Sequence, residues 1–511
     1  EYAKRKGVWK KIPRKTAVRN GWRIIKVRWI DINKGDTDHP NYRSRLVGKE
    51  FNTGEVEGLF AGTPPLEALR LLLSTAATKE SDKKRKVIMI NDVSRAFFEA
   101  PMQRNVCIEL PEEDMTEEDR KNDMVGYLQQ SLYGTRDAAA NFQLEVKKTM
   151  RKVGFRVGKY NPCTYYHPRL QLKTLVHGDD FVSVGGVEEC QWFKDMLERR
   201  FEIKSKVVGS GEGEAKEERI LNRLIRITAD GWEYEADQRH ADIMVEKLNL
   251  KGATGVKTPC EEEKRWQDEE GRELLEEKES RGFRELAARA NYLAQDRVDI
   301  QYATKEICRG MCNPTKGDVR RLRRLGRYLI TVPRLVIKYG WQNQGEKMTG
   351  FTDSDFAGCR QTAKSTSGGA ITAGCHWIKS WSSTQKTIAL SSGEAELTAL
   401  VKCSCEIIGI LQLAADWDQE VEGEVFVDST AALGVGKRKG AGKLRHVRVG
   451  QLWVQEKQER GDLRYRMVKG TENPADALTK AMTRGEMEKY LEMLAMETRS
   501  GRAEKGLQMA T

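Results

Sequence analysis

Short apolar runs bounded by polar turns predict strands in the first half of the chain. The runs at residues 87–90 (VIMI), 174–176 (TLV) and 181–184 (FVSV) are rich in the β-branched and aromatic residues that favour strands. The last two flank residues 177–180 (HGDD) and predict a hairpin with two adjacent carboxylates at its tip. Adjacent carboxylates repel each other, and a divalent cation removes the repulsion. The pair therefore indicates metal-assisted phosphoryl chemistry.

The second half of the chain begins with a helical pattern and then alternates strands with helices. Leu286, Leu293, Ile300 and Ile307 recur at near-helical spacing and predict helices over residues 283–340. From residue 348 to about 483 the pattern changes to strands followed by helices.

Three polar segments predict a loop, a connector and a frayed tail. Residues 209–218 (GSGEGEAKEE) predict a surface loop between strands. Residues 261–281 are densely charged and lack β-branched residues, which predicts a mobile connector or an exposed helix. Residues 497–511 contain few apolar side chains and predict a frayed tail.

Composition narrows the class of protein without fixing its function. A chain of 511 residues has room for about three domains. The net charge of +12 and the pI near 9.0 favour a polyanionic partner, although solubility alone explains the charge equally well. No uninterrupted apolar run approaches the roughly 18 residues of a membrane span, and no signal peptide is visible. The ten cysteines lack paired spacing and indicate reduced core thiols. Because the first residue is Glu, we expect the chain to be a piece of a longer protein.

A third carboxylate is expected beside the acidic hairpin. The predicted strand at residues 87–90 leads directly to Asp92, which would join Asp179 and Asp180. Three such carboxylates hold two divalent ions about 3.5–4 Å apart in two-metal sites. Taken alone, Asp92 is better explained as a helix N-cap. Together with the Asp179 and Asp180 pair, the metal-ligand interpretation is favoured. Between these acids, Gly134 permits a close backbone approach before a helix predicted to start near Asp137, an arrangement suited to a nucleotide phosphate or a template base.

A second set of acids lies in the C-terminal part. Asp353 and Asp428 each end a predicted strand, while Glu396 and Asp476 each lie near the start of a predicted helix. These four side chains can converge on two metal ions in front of a mixed sheet. The order Asp, Glu, Asp, Asp is similar to that of ribonuclease H.

Two glutamates compete for the second position of that set. Ser391 and Glu394 have the spacing of a capping box, in which the glutamate reaches back to the amide of the N-cap residue. Glu396 lies about 200° around the helix from Glu394. We therefore assign Glu396 as the metal ligand and Glu394 as the cap.

The ordered motifs resemble the reverse transcriptase and ribonuclease H portion of copia-type LTR retrotransposon Pol polyproteins. The matching blocks cover about residues 20–485 and run in family order: 42–51 (YRSRLVGKEF), 92–97 (DVSRAF), 131–134 (SLYG), 177–180 (HGDD), 236–240 (ADQRH) and the segment from 291 to 314. One position departs from the family, which usually has Tyr-Val where this chain has His177 and Gly178. This departure leaves the acids intact but questions the efficiency of polymerisation.

The resemblance implies a right-hand α+β polymerase with fingers, palm and thumb, a helical connection, and an α/β ribonuclease H-like domain with a mixed five-stranded sheet. The expected divisions are a basic segment at 1–20, the reverse transcriptase at 21–255, an acidic connector and helical connection at 256–345, the ribonuclease H-like domain at 346–483, and a C-terminal helix and tail at 484–511.

The resemblance also implies roles for individual residues. The expected catalytic and metal-binding residues are Asp92, Asp179, Asp180, Asp353, Glu396, Asp428 and Asp476, with two Mg²⁺ or Mn²⁺ ions in each active site. Phe97 is expected to exclude a ribose 2′-hydroxyl, and Arg43, Arg45, Lys49 and Gly134 to lie at the incoming nucleotide. His446 matches a histidine that aids product release, and a loop or helix-cap role explains it equally well.

The function that follows is copying of RNA into DNA and cleavage of the RNA strand of the hybrid. The expected partners are an RNA template, a DNA primer, an RNA–DNA hybrid and dNTPs; no membrane is expected, and a homodimer is left open. The expected location is a cytoplasmic retrotransposon particle, with the nucleus as a second location. Two alternatives are a decayed or host-adopted copy that binds nucleic acid without catalysis, and a polymerase whose ribonuclease domain is structural. Intact acids at all seven positions argue against decay.

Overall fold

The computed structural model of the protein describes residues 2–33, 42–51, 59–79, 84–262, 269–343, 347–442 and 445–506. The first strands are β1 (Trp9–Pro13), β2 (Arg23–Ile25), β3 (Val27–Asn33), β4 (Tyr42–Gly48), β5 (Thr78–Lys79), β6 (Lys86–Val93), β7 (Val106–Ile108), β8 (Met124–Leu128), β9 (Arg156–Val157), β10 (Thr164–His167), β11 (Leu172–His177) and β12 (Asp180–Gly186). The remaining strands are β13 (Ile203–Val208), β14 (Glu217–Ile220), β15 (Arg223–Thr228), β16 (Gly231–Glu235), β17 (Arg334–Gly340), β18 (Gln342–Asn343), β19 (Met348–Ser354), β20 (Thr366–Ala373), β21 (His376–Thr384), β22 (Gly423–Val427), β23 (Arg464–Met467) and β24 (Met496–Arg499).

The helices follow the same chain order. They are α1 (Tyr2–Arg5), α2 (Arg14–Arg19), α3 (Leu66–Ala77), α4 (Glu117–Lys121), α5 (Ala138–Lys152), α6 (Val187–Glu198), α7 (Arg239–Lys247), α8 (Glu269–Arg272), α9 (Glu277–Leu293), α10 (Gln301–Arg309), α11 (Lys316–Thr331), α12 (Ser392–Asp416), α13 (Thr430–Lys437), α14 (Trp453–Glu459) and α15 (Arg484–Met493). Short 3₁₀ helices include Ala96–Glu99 and Pro474–Leu478.

The chain divides into two compact units. The first unit comprises Glu1–Pro65 with Ile88–Val207, and the second comprises Leu66–Val87 with Val208–Met509. The division after Val207 differs from the expected domain boundary at 255, which therefore stays a prediction. Residues 263–268 of the charged connector and 507–511 of the tail lie outside the described residues.

The first unit is built on a six-stranded sheet in the order β13-β6-β12-β11-β10-β9. Its central hairpin, β11 and β12, pairs His177 with Asp180 across the two-residue turn at Gly178 and Asp179. Gly178 has a φ of +63°, which favours glycine at that turn position. The apolar strands on both sides are buried, so the register that presents the two aspartates is fixed by the core.

The remainder of the first unit contains a four-stranded sheet and the β3–β4 hairpin. The four-stranded sheet has the order β1-β8-β7-β2, so the N-terminal segment is part of the fold. Val8, Ile25, Val106 and Ile108 are buried in its core. Strands β3 and β4 pair antiparallel from Val27 opposite Gly48.

The second unit contains two five-stranded sheets and a helical core. The antiparallel sheet has the order β14-β15-β16-β17-β24, and the other has the order β21-β20-β19-β22-β23. In the latter, β20 pairs antiparallel with β19 and β21, while β22 pairs parallel with β19 and β23, which gives the mixed sheet expected from the sequence. Helices α7, α9, α10 and α11 pack around a core that includes Met244, Leu286, Ile307 and Leu325.

Two parts of the second unit differ from the sequence predictions. The helical prediction for residues 283–340 holds for α9, α10 and α11, but Arg334–Gly340 forms strand β17 in the antiparallel sheet. The frayed-tail prediction is wrong for the start of that segment, because β24 pairs with β17 from Arg334 opposite Arg499. Arg499 also donates two hydrogen bonds to Glu233, and the backbone amide of Lys505 donates to Glu217.

Within the described part of the chain, one helix has the length and mean hydropathy of a membrane span. Helix α12 contains an 18-residue window with a mean hydropathy of 1.6, and half of that window is buried inside the protein. Because α12 also packs against β19, β20 and β22, we interpret it as a core helix.

Candidate functional sites

The first carboxylate site consists of Asp92, Asp179 and Asp180 in the first unit. Asp92 lies near the end of β6, and the backbone amide of the next residue, Val93, donates a 3.0 Å hydrogen bond to the carbonyl of Asp179. Asp180 starts β12 across the turn. Burial, together with the charges of Asp179 and Asp92, raises the pKa of Asp180 to about 6. The fold therefore joins the strand end and the hairpin that the sequence pattern predicted to be neighbours.

Tyr133 lies between these acids and the predicted nucleotide-binding side chains. Its ring centroid is 4.6 Å from that of Phe97, and the Arg45 guanidinium lies 5.6 Å from the Tyr133 ring. Burial and the nearby Asp179 raise the pKa of the Tyr133 hydroxyl. No sequence pattern pointed to Tyr133, although it adjoins Gly134 in the same motif. The exposed side chains of Arg43 and Lys49 lie on β4 and directly after it.

Gly134 has the close backbone approach predicted for it. A Cβ atom at this position would lie 2.2 Å from the carbonyl oxygen of Gly48, and its φ is +82°. The amide of Gly48 in turn donates a 2.7 Å hydrogen bond to the carbonyl of Tyr133. Helix α5 starts at Ala138 after Asp137, as predicted. Glycine is required here because any side chain would separate the β4 end from the turn.

The second carboxylate site consists of Asp353, Glu396 and Asp428, with Asp476 beside them. Asp353 lies on β19, Asp428 directly follows β22, and Glu396 lies in the second turn of α12. Among the described residues, these first three form the one group of metal-ligand side chains whose ligand atoms all lie within 4.8 Å of one another. In the first carboxylate site, the ligand atoms of the three aspartates do not all lie within 4.8 Å of one another.

Without a cation, the electrostatics of the second carboxylate site disfavour the simultaneous ionisation of its three gathered acids. Burial and the neighbouring acids raise the pKa of Glu396 to about 9, and burial raises the pKa of Asp353 to about 6. Burial also raises the pKa of Asp428. Glu396 Oε1 accepts a 3.2 Å hydrogen bond from the amide of Ser354, whereas its Oε2 is buried without a hydrogen-bond partner. An orphaned carboxylate oxygen facing two further carboxylates fits a divalent cation.

Glu394 is the cap residue, with one difference from the prediction. The Ser391 hydroxyl accepts a 3.3 Å hydrogen bond from the Glu394 amide, as expected. The return bond does not go to the Ser391 amide, because Glu394 Oε2 instead accepts from the Leu390 amide at 2.8 Å. The same oxygen lies 3.0 Å from Nε2 of exposed His446. His446 therefore contacts the cap residue, and its expected role in product release stays a prediction.

Asp476 is held apart from the three gathered carboxylates by Lys480 and Tyr490, neither of which a sequence pattern pointed to. Its Oδ1 accepts from Lys480 Nζ at 2.5 Å, and its Oδ2 accepts from the Tyr490 hydroxyl at 3.1 Å. The hydroxyl of Thr479 donates to Asp353 Oδ2 at 2.5 Å. The four-residue spacing of Asp476 and Lys480 was the available signal, since oppositely charged residues at that spacing interact along a helix, although the 3₁₀ helix here ends at Leu478.

Comparison with known proteins shows which proteins the chain is similar to. Residues 14–262 match the family described as "Reverse transcriptase (RNA-dependent DNA polymerase)". The chain is 25% identical over 494 residues to the retrovirus-related Pol polyprotein from transposon TNT 1-94 of Nicotiana tabacum, covering 94% of this chain and 36% of that protein. It is 24% identical over 478 residues to the Pol polyprotein from transposon RE1 of Arabidopsis thaliana, covering 90% of this chain and 31% of that protein.

Among solved structures, LC11-RNase H1 isolated from compost is similar over 29% of this chain and 99% of that one, with 21% identity and a TM-score of 0.20. A TM-score this low does not establish a shared fold. The chain spans about a third of the length of the two Pol polyproteins. Residues 14–262 thus match the reverse transcriptase family, and the chain as a whole is similar to copia-type, retrovirus-related Pol polyproteins.

Proposed function

We propose that the chain is an RNA-directed DNA polymerase that also cleaves the RNA strand of an RNA–DNA hybrid. The observation that supports this most directly is that both predicted sets of acids are brought together from distant segments. Asp92 and Asp179 are joined through the backbone of Val93, and Asp353, Glu396 and Asp428 gather their oxygens within 4.8 Å. Neither set is explained by packing, because adjacent carboxylates cost free energy without a cation.

For polymerisation we assign the palm to the six-stranded sheet and the fingers to the β3–β4 hairpin. Asp92, Asp179 and Asp180 would hold two Mg²⁺ or Mn²⁺ ions, which when bound activate the primer 3′-hydroxyl and neutralise the pyrophosphate. Arg43, Arg45 and Lys49 supply positive charge for the triphosphate of a dNTP. The half-buried ring of Phe97, packed on Tyr133, closes the side of the site where a ribose 2′-hydroxyl would lie.

For RNA cleavage we assign the metal-binding role to the second carboxylate site. Asp353, Glu396, Asp428 and Asp476 would hold the ions, which when bound supply an activated water for attack on the RNA backbone. The amide of Ser354 and the hydroxyl of Thr479 orient Glu396 and Asp353. Recognition of the hybrid would depend on contacts with 2′-hydroxyls in the minor groove.

Paired variants test the two activities separately. Asp179→Asn should abolish Mg²⁺-dependent extension of a DNA primer on poly-rA while sparing hybrid cleavage. Asp428→Asn should abolish cleavage of the RNA in a hybrid while sparing extension. Asp195→Asn on α6 and Asp462→Asn, which removes an exposed ion pair with Lys457, serve as matched controls. A folded protein that extends no primer with either metal contradicts the polymerase proposal and favours the decayed-copy alternative.

The proposed setting is a cytoplasmic retrotransposon particle, with access to the nucleus. An RNA template, a DNA primer and dNTPs are the proposed substrates, and the net charge of +12 suits such polyanions. Fractionation of cells expressing a tagged chain, with sedimentation of particles, tests the location.

A further inference from the structure

Lys480 is a positive charge set against the second carboxylate site. Its Nζ lies 2.5 Å from Asp476 Oδ1, and its charge also favours the ionised forms of Asp353 and Asp428. The side chain extends from the residue after Thr479, which donates to Asp353. Two consecutive residues therefore contact two different acids of one site.

Both carboxylate oxygens of Asp476 already accept hydrogen bonds in this arrangement. Lys480 engages Oδ1, and the Tyr490 hydroxyl donates to Oδ2. Asp476 also stands outside the described group of three acids whose oxygens lie within 4.8 Å of one another. The resting site is consequently a three-carboxylate site with a fourth carboxylate neutralised by an ammonium.

We propose that Lys480 is a positioning residue that withholds Asp476 from the second divalent ion, so that two ions bind the second carboxylate site with unequal affinities. The inference rests on the proposed ribonuclease activity of this site. The first ion binds among Asp353, Glu396 and Asp428. The second ion needs Asp476 and must displace the ammonium, because a divalent cation and Nζ repel each other when they share one carboxylate.

The surroundings of Lys480 leave room for that displacement. Its side chain is 54% exposed, whereas that of Asp476 is 19% exposed. Lys480 also lines a cavity of about 280 Å³ whose other lining residues include the acids Asp355 and Glu306. The ammonium therefore has open space beside Asp476 into which it can turn, although Glu306 is already paired with Lys305 and Arg309. The Tyr490 hydroxyl keeps Asp476 in place during the exchange.

Metal binding tests the proposal without relying on cleavage. The substitutions Asp179→Asn and Asp180→Asn in the full chain remove metal binding at the first carboxylate site. Mn²⁺ alone is then titrated into this protein, and its binding is followed by calorimetry and by electron paramagnetic resonance. We expect one tighter and one weaker ion. Lys480→Met should tighten the weaker ion about tenfold, a size typical of changes beside a metal ligand. Lys480→Arg should retain weak binding of the second ion.

Two further variants define the outcome. Lys457→Met removes a comparable lysine–aspartate pair, 2.8 Å long, with Asp462 and should change neither affinity. Asp476→Asn should remove the gain produced by Lys480→Met, because the second ion depends on that carboxylate. Equal affinities in the parent protein, an unchanged weaker ion in Lys480→Met, or a gain that persists with Asp476→Asn would overturn the proposal. Absence of hybrid cleavage with these binding results intact would refute the proposed activity alone.

Discussion

Arg70 donates a 2.7 Å hydrogen bond from Nη2 to Oδ1 of Asp296, and both side chains are at most 3% exposed. Asp296 also accepts from Arg223 at 3.0 Å and from the Tyr234 hydroxyl at 2.5 Å. Two further bonds from Arg70 go to the carbonyls of Gln295 and Ile378. This buried network fastens helix α3 inside the second unit, although Arg70 lies 225 to 308 residues before its three hydrogen-bond partners.

Breaking this network should destabilise the second unit more than breaking an exposed pair. Arg70→Met leaves the carbonyls without donors and weakens the neutralisation of Asp296, with an expected loss of about 3–5 kcal/mol, typical when one partner of a buried ion pair is removed. Arg281→Met removes the exposed pair with Glu277 and should cost less than about 0.5 kcal/mol. Calorimetric unfolding of both variants measures the difference. Similar losses would contradict a stabilising role of the buried network.

Gly134→Ala should impair polymerisation by separating the β4 end from the turn at 134. The added Cβ would meet the Gly48 carbonyl at 2.2 Å in a backbone with φ +82°. The expected cost is about 1–3 kcal/mol from strain, with a loss of dNTP affinity because Arg45 and Tyr133 are displaced. Gly213→Ala is the matched control, since its φ is +74° and no atom lies within 4 Å of the added Cβ. Primer-extension KM values for dNTPs measure the effect, and equal values in both variants would contradict it.

Glu396→Gln should abolish hybrid cleavage, whereas Glu394→Gln should retain it. Glu396 faces Asp353 and Asp428, and its Oε2 is free of protein hydrogen bonds among the described residues. Glu394 is occupied by the Leu390 amide and His446, so its amide variant should lower stability by about 1 kcal/mol through the cap. Single-turnover cleavage and thermal unfolding separate the two effects. Loss of cleavage in Glu394→Gln with retention in Glu396→Gln would reverse the assignment.

The second unit should lose stability in mild acid because of His376. This imidazole is fully buried, between the Ser74 hydroxyl at 2.9 Å and the Gly340 carbonyl at 2.7 Å. Burial lowers its pKa to about 4 from 6.5. Below pH 6.5 this histidine becomes protonated in the unfolded chain but stays neutral in the folded chain. Its contribution to the free energy of unfolding is therefore fully present above pH 6.5 and is lost as the pH falls toward 4. The loss should reach about 3 kcal/mol at 1.4 kcal/mol for each unit.

The measurement is the slope of unfolding free energy against pH between 6.5 and 4.5. His376→Asn should flatten this slope, even if it lowers stability at every pH. An unaltered slope in His376→Asn would show that other groups cause the acid sensitivity.

The local features of both sites follow from short-range sequence patterns. The β11–β12 hairpin with its acidic tip, the strand leading to Asp92, the glycine turn before α5 and the Ser391 cap each depend on residues within a few positions of one another. Sequence patterns predict such features because backbone sterics, turn preference and capping act over that range. The mixed sheet of the second unit was implied by the resemblance to ribonuclease H.

Contacts between distant segments were not predicted by the sequence patterns. The residues of strand β17 were predicted to be helical, and the C-terminal residues were predicted to be a frayed tail. In the structure, β17 pairs with β16 and with β24. The return bond of Glu394 to Leu390, the contact with His446 and the hydroxyl of Tyr490 on Asp476 also depend on packing.

The sequence by itself determined which residues carry charge where a strand or helix ends, and so determined two candidate sets of acids. The tertiary structure alone decided that Asp353, Glu396 and Asp428 come within 4.8 Å while Asp476 stays with Lys480 and Tyr490. It also decided that α3 packs in the second unit through Arg70 and Asp296. The reason is that burial and ion pairing depend on distances between segments that the chain brings together only on folding, whereas strand and turn preferences act between neighbours.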